Sequence, residues 1–203
     1  MLTLNPETLS DREIYKLLIG SIIPRPVAVV ATQSTKQILN IAPFSYFSIV
    51  STSPTLVSVS VQRKSGVMKD TARNLLETKE AVVHILDDSN LDLANETAAP
   101  LDPETSELTR ADFKTVASTT ITTPGLKPAK VRFETTLYQH IPVNTDTEIT
   151  ADLFLLEIKA FQIDESIYHE GKIDPRQLGA ISRLAGNDYA NIGEITTIAR
   201  PLE

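Results

Sequence analysis

The chain contains no cysteine. Disulfides, thiolate metal sites and thiol redox chemistry are therefore excluded, and any electron transfer would need a bound cofactor. Long apolar runs are also missing. "ADLFLLEI", among the longest, falls far short of the roughly 18 residues that a membrane span requires. Positive charge is in deficit: 19 Lys and Arg stand against 26 Asp and Glu, a formal net charge of -7. That balance disfavours nucleic acid and anionic membrane surfaces, both of which call for clustered cations. The opening "MLTLNPETLSDRE" has neither a basic n-region nor an apolar h-region, so a soluble cytoplasmic protein is expected. No G-x-G-x-x-G, G-x-x-x-x-G-K-[ST] or G-x-S-x-G occurs. A Rossmann dinucleotide site, a P-loop and an α/β-hydrolase elbow are thus unsupported. His84, His140 and His169 show no metal-ligand spacing; no metal site is expected, and the first two read as structural strand residues.

What is present suits one globular unit. Hydrophobic residues make up 41% of 203, enough for a real core, and no linker or repeat divides residues 1–203. "SDREIYKLLIG" reads as a helix with Ser10 and Glu13 at capping-box spacing, Ile14, Leu17 and Leu18 on one apolar face, and Gly20 at its stop. "PVAVVAT", "TLVSVSV", "EAVVHIL", "KVRFETTLYQHI" and "TADLFLLEIKAFQI" read as strands, the last two joined as a hairpin through "NTDTE". "KDTARNLLET" reads as a short helix with Asp70 as its N-cap. Residues 89–113 suggest short polar helices, with Pro103 at a helix start, and 173–190 a helix and an irregular tail. About six strands with peripheral helices favour a mainly β, antiparallel barrel over a doubly wound sheet.

Three segments stand out. "NIAPFSYFS" (Asn40 to Ser48) packs three aromatics, a proline and short polar residues into nine positions. Pro43 cannot donate to a ladder, so pairing should break there and leave amides for a ligand. Otherwise it is a bulged strand with aromatics in the barrel. "RKSGVMKDT" places Lys69 and Thr71 at a helix N-terminus, where free amides and the helix dipole suit a monophosphate; Arg63 and Lys64 add positive charge. Otherwise it is an ordinary helix start. "PRP" sets Arg25 at a strand mouth, or simply on a rigid surface entry. Taken together, the segments describe a flat amphipathic ring system with one phosphate, and FMN fits.

The segments "PRPVAVVAT", "NIAPFSYFS", "RKSGVMKDTARN" and "ISRLAGNDY", in that order, resemble the flavin reductase-like family of the FMN-binding split-barrel superfamily, from about Tyr15 to Tyr189. The resemblance implies an antiparallel Greek-key split β-barrel and a homodimer with FMN near its interface. It implies that Asn40 and the stretch Ala42, Pro43, Phe44, Ser45, Tyr46, Phe47 and Ser48 line the isoalloxazine and ribityl chain, with Ser60 and Gln62 facing the ligand. Lys69 and Thr71 would hold the phosphate, Asp70 would fix the turn, and Arg25 would lie near the flavin. Arg183, Asn187 and Tyr189 would cover the site. Three positions depart from the family pattern: "KQIL" in the first hairpin, Pro54-Thr55, and Ala185-Gly186 near the end. The last adds a methyl at the flavin's edge and bears on substrate access. The implied activity is hydride transfer from NAD(P)H to flavin, with no residue assigned as catalytic. Two alternatives stay open: an FMN-binding electron carrier or flavin-delivery protein without its own NAD(P)H activity, and a barrel for another apolar ligand or an interaction module.

Overall fold

The computed structural model describes residues 1–102 and 104–201; the expected helix start at Pro103 lies outside them. Seven strands form its main sheet: β1 (Ala28–Gln33), β2 (Leu39–Phe44), β3 (Phe47–Thr52), β4 (Thr55–Gln62), β5 (Glu80–Ile85), β6 (Val131–Asn144) and β7 (Ile149–Ile163). Their order is β2-β1-β5-β6-β7-β4-β3, and every neighbouring pair is antiparallel. The two edge strands, β2 and β3, are consecutive in sequence. The chain therefore passes from one edge of the sheet to the other through only Ser45 and Tyr46. That link can be so short only if the sheet is rolled, and it lies at the split where the roll stays unpaired.

The proline in this region does not break pairing as expected. Pro43 sits in register opposite Val29, and β2 continues to Phe44. An edge strand has a free side on which a missing N–H costs nothing. The interruption comes two residues later, at the crossing.

β1 explains why "VAVVAT" lacks alternation. It is buried on both faces, as near-continuous apolar strands are. Val29 and Ala31 join an outer layer with Ile41, Val82, Leu86 and Leu126. Ala28 and Val30 point into the roll with Val57, Val59, Val61, Phe154 and Leu156. The alternation in β4 holds as expected, with its valines inside and Ser58 and Ser60 half-exposed. Helix α2 (Asp70–Thr78) packs Ala72 and Leu75 into the inner cluster.

Helix α1 (Asp11–Ser21) has the expected capping box between Ser10 and Glu13 and runs one residue past Gly20. Its apolar face is not the expected one. Ile19 is its buried residue, whereas Leu17 and Leu18 are 43% and 50% exposed. Its buried residue lies near its C-terminal end, where the Ile19 carbonyl also accepts from Arg25. The segment after residue 173 is more ordered than expected. Ser182–Arg183 pairs with Arg25–Pro26 on one side and Tyr189–Ala190 on the other, giving a small three-stranded sheet.

Two buried polar arrangements hold the roll. Asp152 is fully buried on β7 and takes both Arg63 Nε and Nη2 at 2.8 Å, with His140 Nε2 at 2.9 Å. Burial works against its ionisation, but the Arg63 and His140 hydrogen bonds outweigh that and hold the carboxyl below its usual range. His84, also fully buried, sits between the Val29 carbonyl on Nδ1 (2.7 Å) and the Leu126 N–H on Nε2 (2.8 Å). Nδ1 must donate and Nε2 must accept, which fixes one neutral tautomer.

Burial pushes the His84 imidazole down from 6.5 to about 4. The folded state therefore resists a proton that the unfolded chain accepts. Stability from this site is complete above pH 6.5 and is lost as pH falls from there towards 4. The loss should reach about 3 kcal/mol. Urea unfolding at stepped pH should show it, and an NMR titration of the His84 ring should give a midpoint well below that of a free histidine.

Candidate functional site

The crossing at Ser45–Tyr46 is where the barrel opens. Among the described residues, neither amide of this pair makes a backbone hydrogen bond, although the Tyr46 carbonyl accepts from Ser60 N–H at 2.9 Å. Two cavities meet here. The first, about 500 Å³, is bounded by the crossing, α1, the ends of β4 and the small terminal sheet. The second, about 690 Å³, lies over β2 and the start of α2. They share Pro43, Phe44, Lys69 and Ala98, so they form one groove of the size that takes small ligands.

Arg25 organises the first cavity. It is only 6% exposed, yet it has no carboxylate partner among the described residues. Its Nη1 donates to the carbonyls of Ile19 (2.8 Å) and Ile22 (2.6 Å), its Nη2 to Leu184 O (2.8 Å), and its Nε to Ser45 Oγ (3.5 Å). One guanidinium thus ties the end of α1, the crossing and the terminal sheet. The carbonyls at a helix C-terminus carry partial negative charge, which suits a cation there. Tyr46 is half-buried beside it. Burial raises the Tyr46 phenol, nearby Tyr15 adds to this, and Arg25 opposes it. The phenol therefore stays protonated as a hydrogen-bond donor.

The second cavity is built around α2. Lys69, not Asp70, is the N-cap residue, with an extended backbone and no side-chain cap. Asp70 is the first helical residue and pairs with Arg73 at 2.5 Å. The first-turn amides are thus left without a capping side chain. Lys69 is exposed along its side chain, but its ammonium faces the Phe44 ring at 5.9 Å and has no acidic partner among the described residues; partial desolvation there lowers its ammonium. Asn40 Nδ2 donates to Thr71 Oγ1 at 2.8 Å, which leaves the threonine proton free to point elsewhere.

Most of the residues singled out from sequence come together here. Arg25, Ser45, Tyr46, Ser60, Gln62, Arg183, Asn187 and Tyr189 line the first cavity. Asn40, Ala42, Asp70 and Thr71 line the second. Phe47 and Ser48 line neither. Past the crossing the chain has entered β3, where Phe47 packs on the inner core and Ser48 is exposed. Arg63 is not a free charge either, since Asp152 takes it, whereas Lys64 does line the second cavity.

Sequence reasoning missed Tyr15, Asn95 and Glu107. Tyr15 and Asn95 reach the first cavity from α1 and from α3 (Leu91–Glu96). Glu107 lines the second cavity while one oxygen accepts Ile41 N–H at 2.8 Å. Burial raises its carboxyl, the Ile41 bond opposes this, and Asp70 adds to it. No local motif marks these residues, because they arrive from separate elements.

A model of the flavin reductase like domain matches residues 19–176. The chain belongs to that family. YwrF of Bacillus subtilis strain 168 is 46% identical over 198 residues, covering 96% of this chain and 97% of its own. The crystal structure of nitrilotriacetate monooxygenase component B from Bacillus cereus is 45% identical, with a TM-score of 0.95 and 98% of each chain covered. A split-barrel protein from Shewanella frigidimarina shares the fold at 14% identity, with a TM-score of 0.83 over 99% of this chain and 100% of its own. The mainly β, antiparallel architecture of this flavin reductase-like chain is therefore a split barrel.

Arg25→Ala should leave three carbonyls and the Ser45 hydroxyl without their donor. A loss of about 3 kcal/mol or more in urea unfolding is expected, at about 1.5–3 kcal/mol for each hydrogen bond from a charged group. Arg25→Lys should recover only part of it, because an ammonium on a flexible stem cannot span three separated acceptors.

Proposed function

We propose that the groove binds FMN and that the protein is an FMN-dependent oxidoreductase, passing hydride from NAD(P)H to flavin. The observation that carries this reading is Lys69: an ammonium over the Phe44 ring with no acidic partner among the described residues, beside uncapped helix amides and a threonine hydroxyl with a free proton. An unbalanced cation and a set of orphan donors suit a phosphate. The groove leading from it is faced by Pro43, Phe44 and Tyr46, flat apolar surface of the kind a ring system needs.

Bound there, FMN would supply the two-electron chemistry that the side chains lack. The chain's part is to bind and orient. Lys69 and Thr71 hold the phosphate, and Asn40 fixes the Thr71 hydroxyl. The amides of Ser45 and Tyr46 stabilise negative charge on the ring edge. Phe44 and Tyr46 exclude water from its face. Ser60 and Gln62 supply hydrogen-bonding groups from the end of β4, and Asn187 and Tyr189 cover the site. No side chain needs to act as nucleophile or general base.

We further propose a homodimer. Leu18, Ile22 and Ile49 are 50%, 60% and 79% exposed, an unusual outlay of aliphatic surface on a chain with this net charge. The 45% identical Bacillus cereus protein is a monooxygenase component, which supports a role in supplying reduced flavin to a partner oxygenase. No helix among the described residues is long and apolar enough to cross a membrane, and we place the protein in the cytoplasm.

Lys69→Ala should weaken FMN binding by about 1.5–3 kcal/mol, the scale of a hydrogen bond to a charged group. Equilibrium titration followed by flavin fluorescence measures it, and an unchanged dissociation constant would remove Lys69 from the site. With FMN added, the protein should oxidise NADH or NADPH in the steady state. Retained FMN without turnover of either nicotinamide would instead identify a flavin carrier.

A further inference from the structure

The small terminal sheet sets Arg25 directly opposite Arg183, and Arg183 directly opposite Tyr189. Residues opposite one another in an antiparallel ladder project from the same face, and like charges so placed repel. All three line the first cavity. Among the described residues, its wall includes the cations Arg25, Lys69 and Arg183 and no Asp or Glu, in a chain whose net charge is -7. A row of two guanidiniums facing a concave surface without acids is a site arranged for an anion.

The three cations are not equivalent. Arg25 has spent Nη1, Nη2 and Nε on Ile19, Ile22, Leu184 and Ser45. Lys69 lies where the two cavities join, at the start of α2. Arg183 is placed differently. Its guanidinium lies over the Tyr189 ring, 4.5 Å from the centroid, and Nη2 donates to Gly186 O at 2.5 Å. Stacking occupies the face of a guanidinium and leaves most of its in-plane N–H edge available. That edge matches a carboxylate with two parallel hydrogen bonds. Tyr15 and Tyr46 stand in the same cavity and offer a planar partner aromatic surface and phenol donors.

We propose that the Arg183 end of the first cavity binds a small aromatic carboxylate as a second ligand, with its carboxylate on the Arg183 edge and its ring among the tyrosines. The proposal rests on the flavin reading only for what occupies the adjoining groove. Arg183 then determines specificity for the second ligand, while Lys69 serves the flavin phosphate.

Benzoate and benzamide differ in the charge of one group and almost nothing else, so they make the test. Calorimetric titration into FMN-loaded protein should give benzoate an affinity at least tenfold above that of benzamide. Arg183→Gln should abolish the preference, and Arg183→Lys, which keeps the charge without the planar edge, should retain part of it. Equal binding of the two probes, or a preference that survives in Arg183→Gln, would overturn the proposal. Inorganic pyrophosphate binding more tightly than benzoate at the same residue would overturn the carboxylate assignment in favour of a dinucleotide's linkage. The same titrations on FMN-free protein keep the two readings apart. A benzoate preference without FMN uptake would count against the flavin reading alone, and FMN uptake without the preference against this one alone.

Discussion

The candidate site depends on one buried guanidinium. Arg25 draws together the carbonyls that end α1, the Ser45 hydroxyl at the barrel's opening and the backbone of Leu184. Each of these pieces is poorly held otherwise. The helix buries little of its own surface, the crossing has no ladder on which to rest, and the terminal sheet is two residues wide on each strand. Only a residue with several donors in a fixed plane can satisfy acceptors arriving from three directions. The charge is offset by carbonyl dipoles, so no carboxylate is spent on it. Among the described residues, the wall of the first cavity holds no Asp or Glu.

Other buried ionisable groups are likewise met inside the protein, by a countercharge or by neutral donors and acceptors. Asp152 inside the roll is matched by Arg63 and His140, and Glu134 is matched by Thr119, Thr120 and Gln162. His84 is kept neutral between a carbonyl and an amide. These groups are satisfied within the protein and have little left for a ligand. Lys69 and Arg183 are different, since among the described residues neither has a carboxylate partner. The contrast separates framework from site more sharply than the residue types do, because arginine and lysine occur in both.

The split itself has a simple origin. β2 and β3 are edges of the same sheet, and the two residues between them must bridge the opening. Edge strands with unpaired groups are ordinarily a hazard. Here the opening is covered by α1, α2 and the terminal sheet, and the groove lies between them. The polar and aromatic residues of "NIAPFSYFS" are therefore not strand filler. The first half is the edge that faces the groove, Ser45 and Tyr46 are the crossing, and Phe47 already belongs to the inner core.

Most of the strands, the capping box at Ser10 and a helix beginning near Lys69 and Asp70 were legible in the sequence, as was the unusual character of Asn40 to Tyr46, most of which lines the groove. Each depends on neighbours along the chain: alternation, β-branching, and the spacing of a hydroxyl and a carboxylate. By itself the sequence determined a strand-rich barrel, a helix N-terminus suited to a phosphate, and a resemblance that the family match bears out. Only the tertiary structure decided that Arg63 belongs to Asp152, that Arg25 is a buried tie, and that Phe47 and Ser48 leave the groove. It also brought Tyr15, Asn95 and Glu107 to the cavities and set Arg25 opposite Arg183. These are contacts between residues tens of positions apart, up to 159 for Arg25 and Leu184. Such contacts follow from how the sheet rolls and where its edges meet, and no local pattern of residues encodes that.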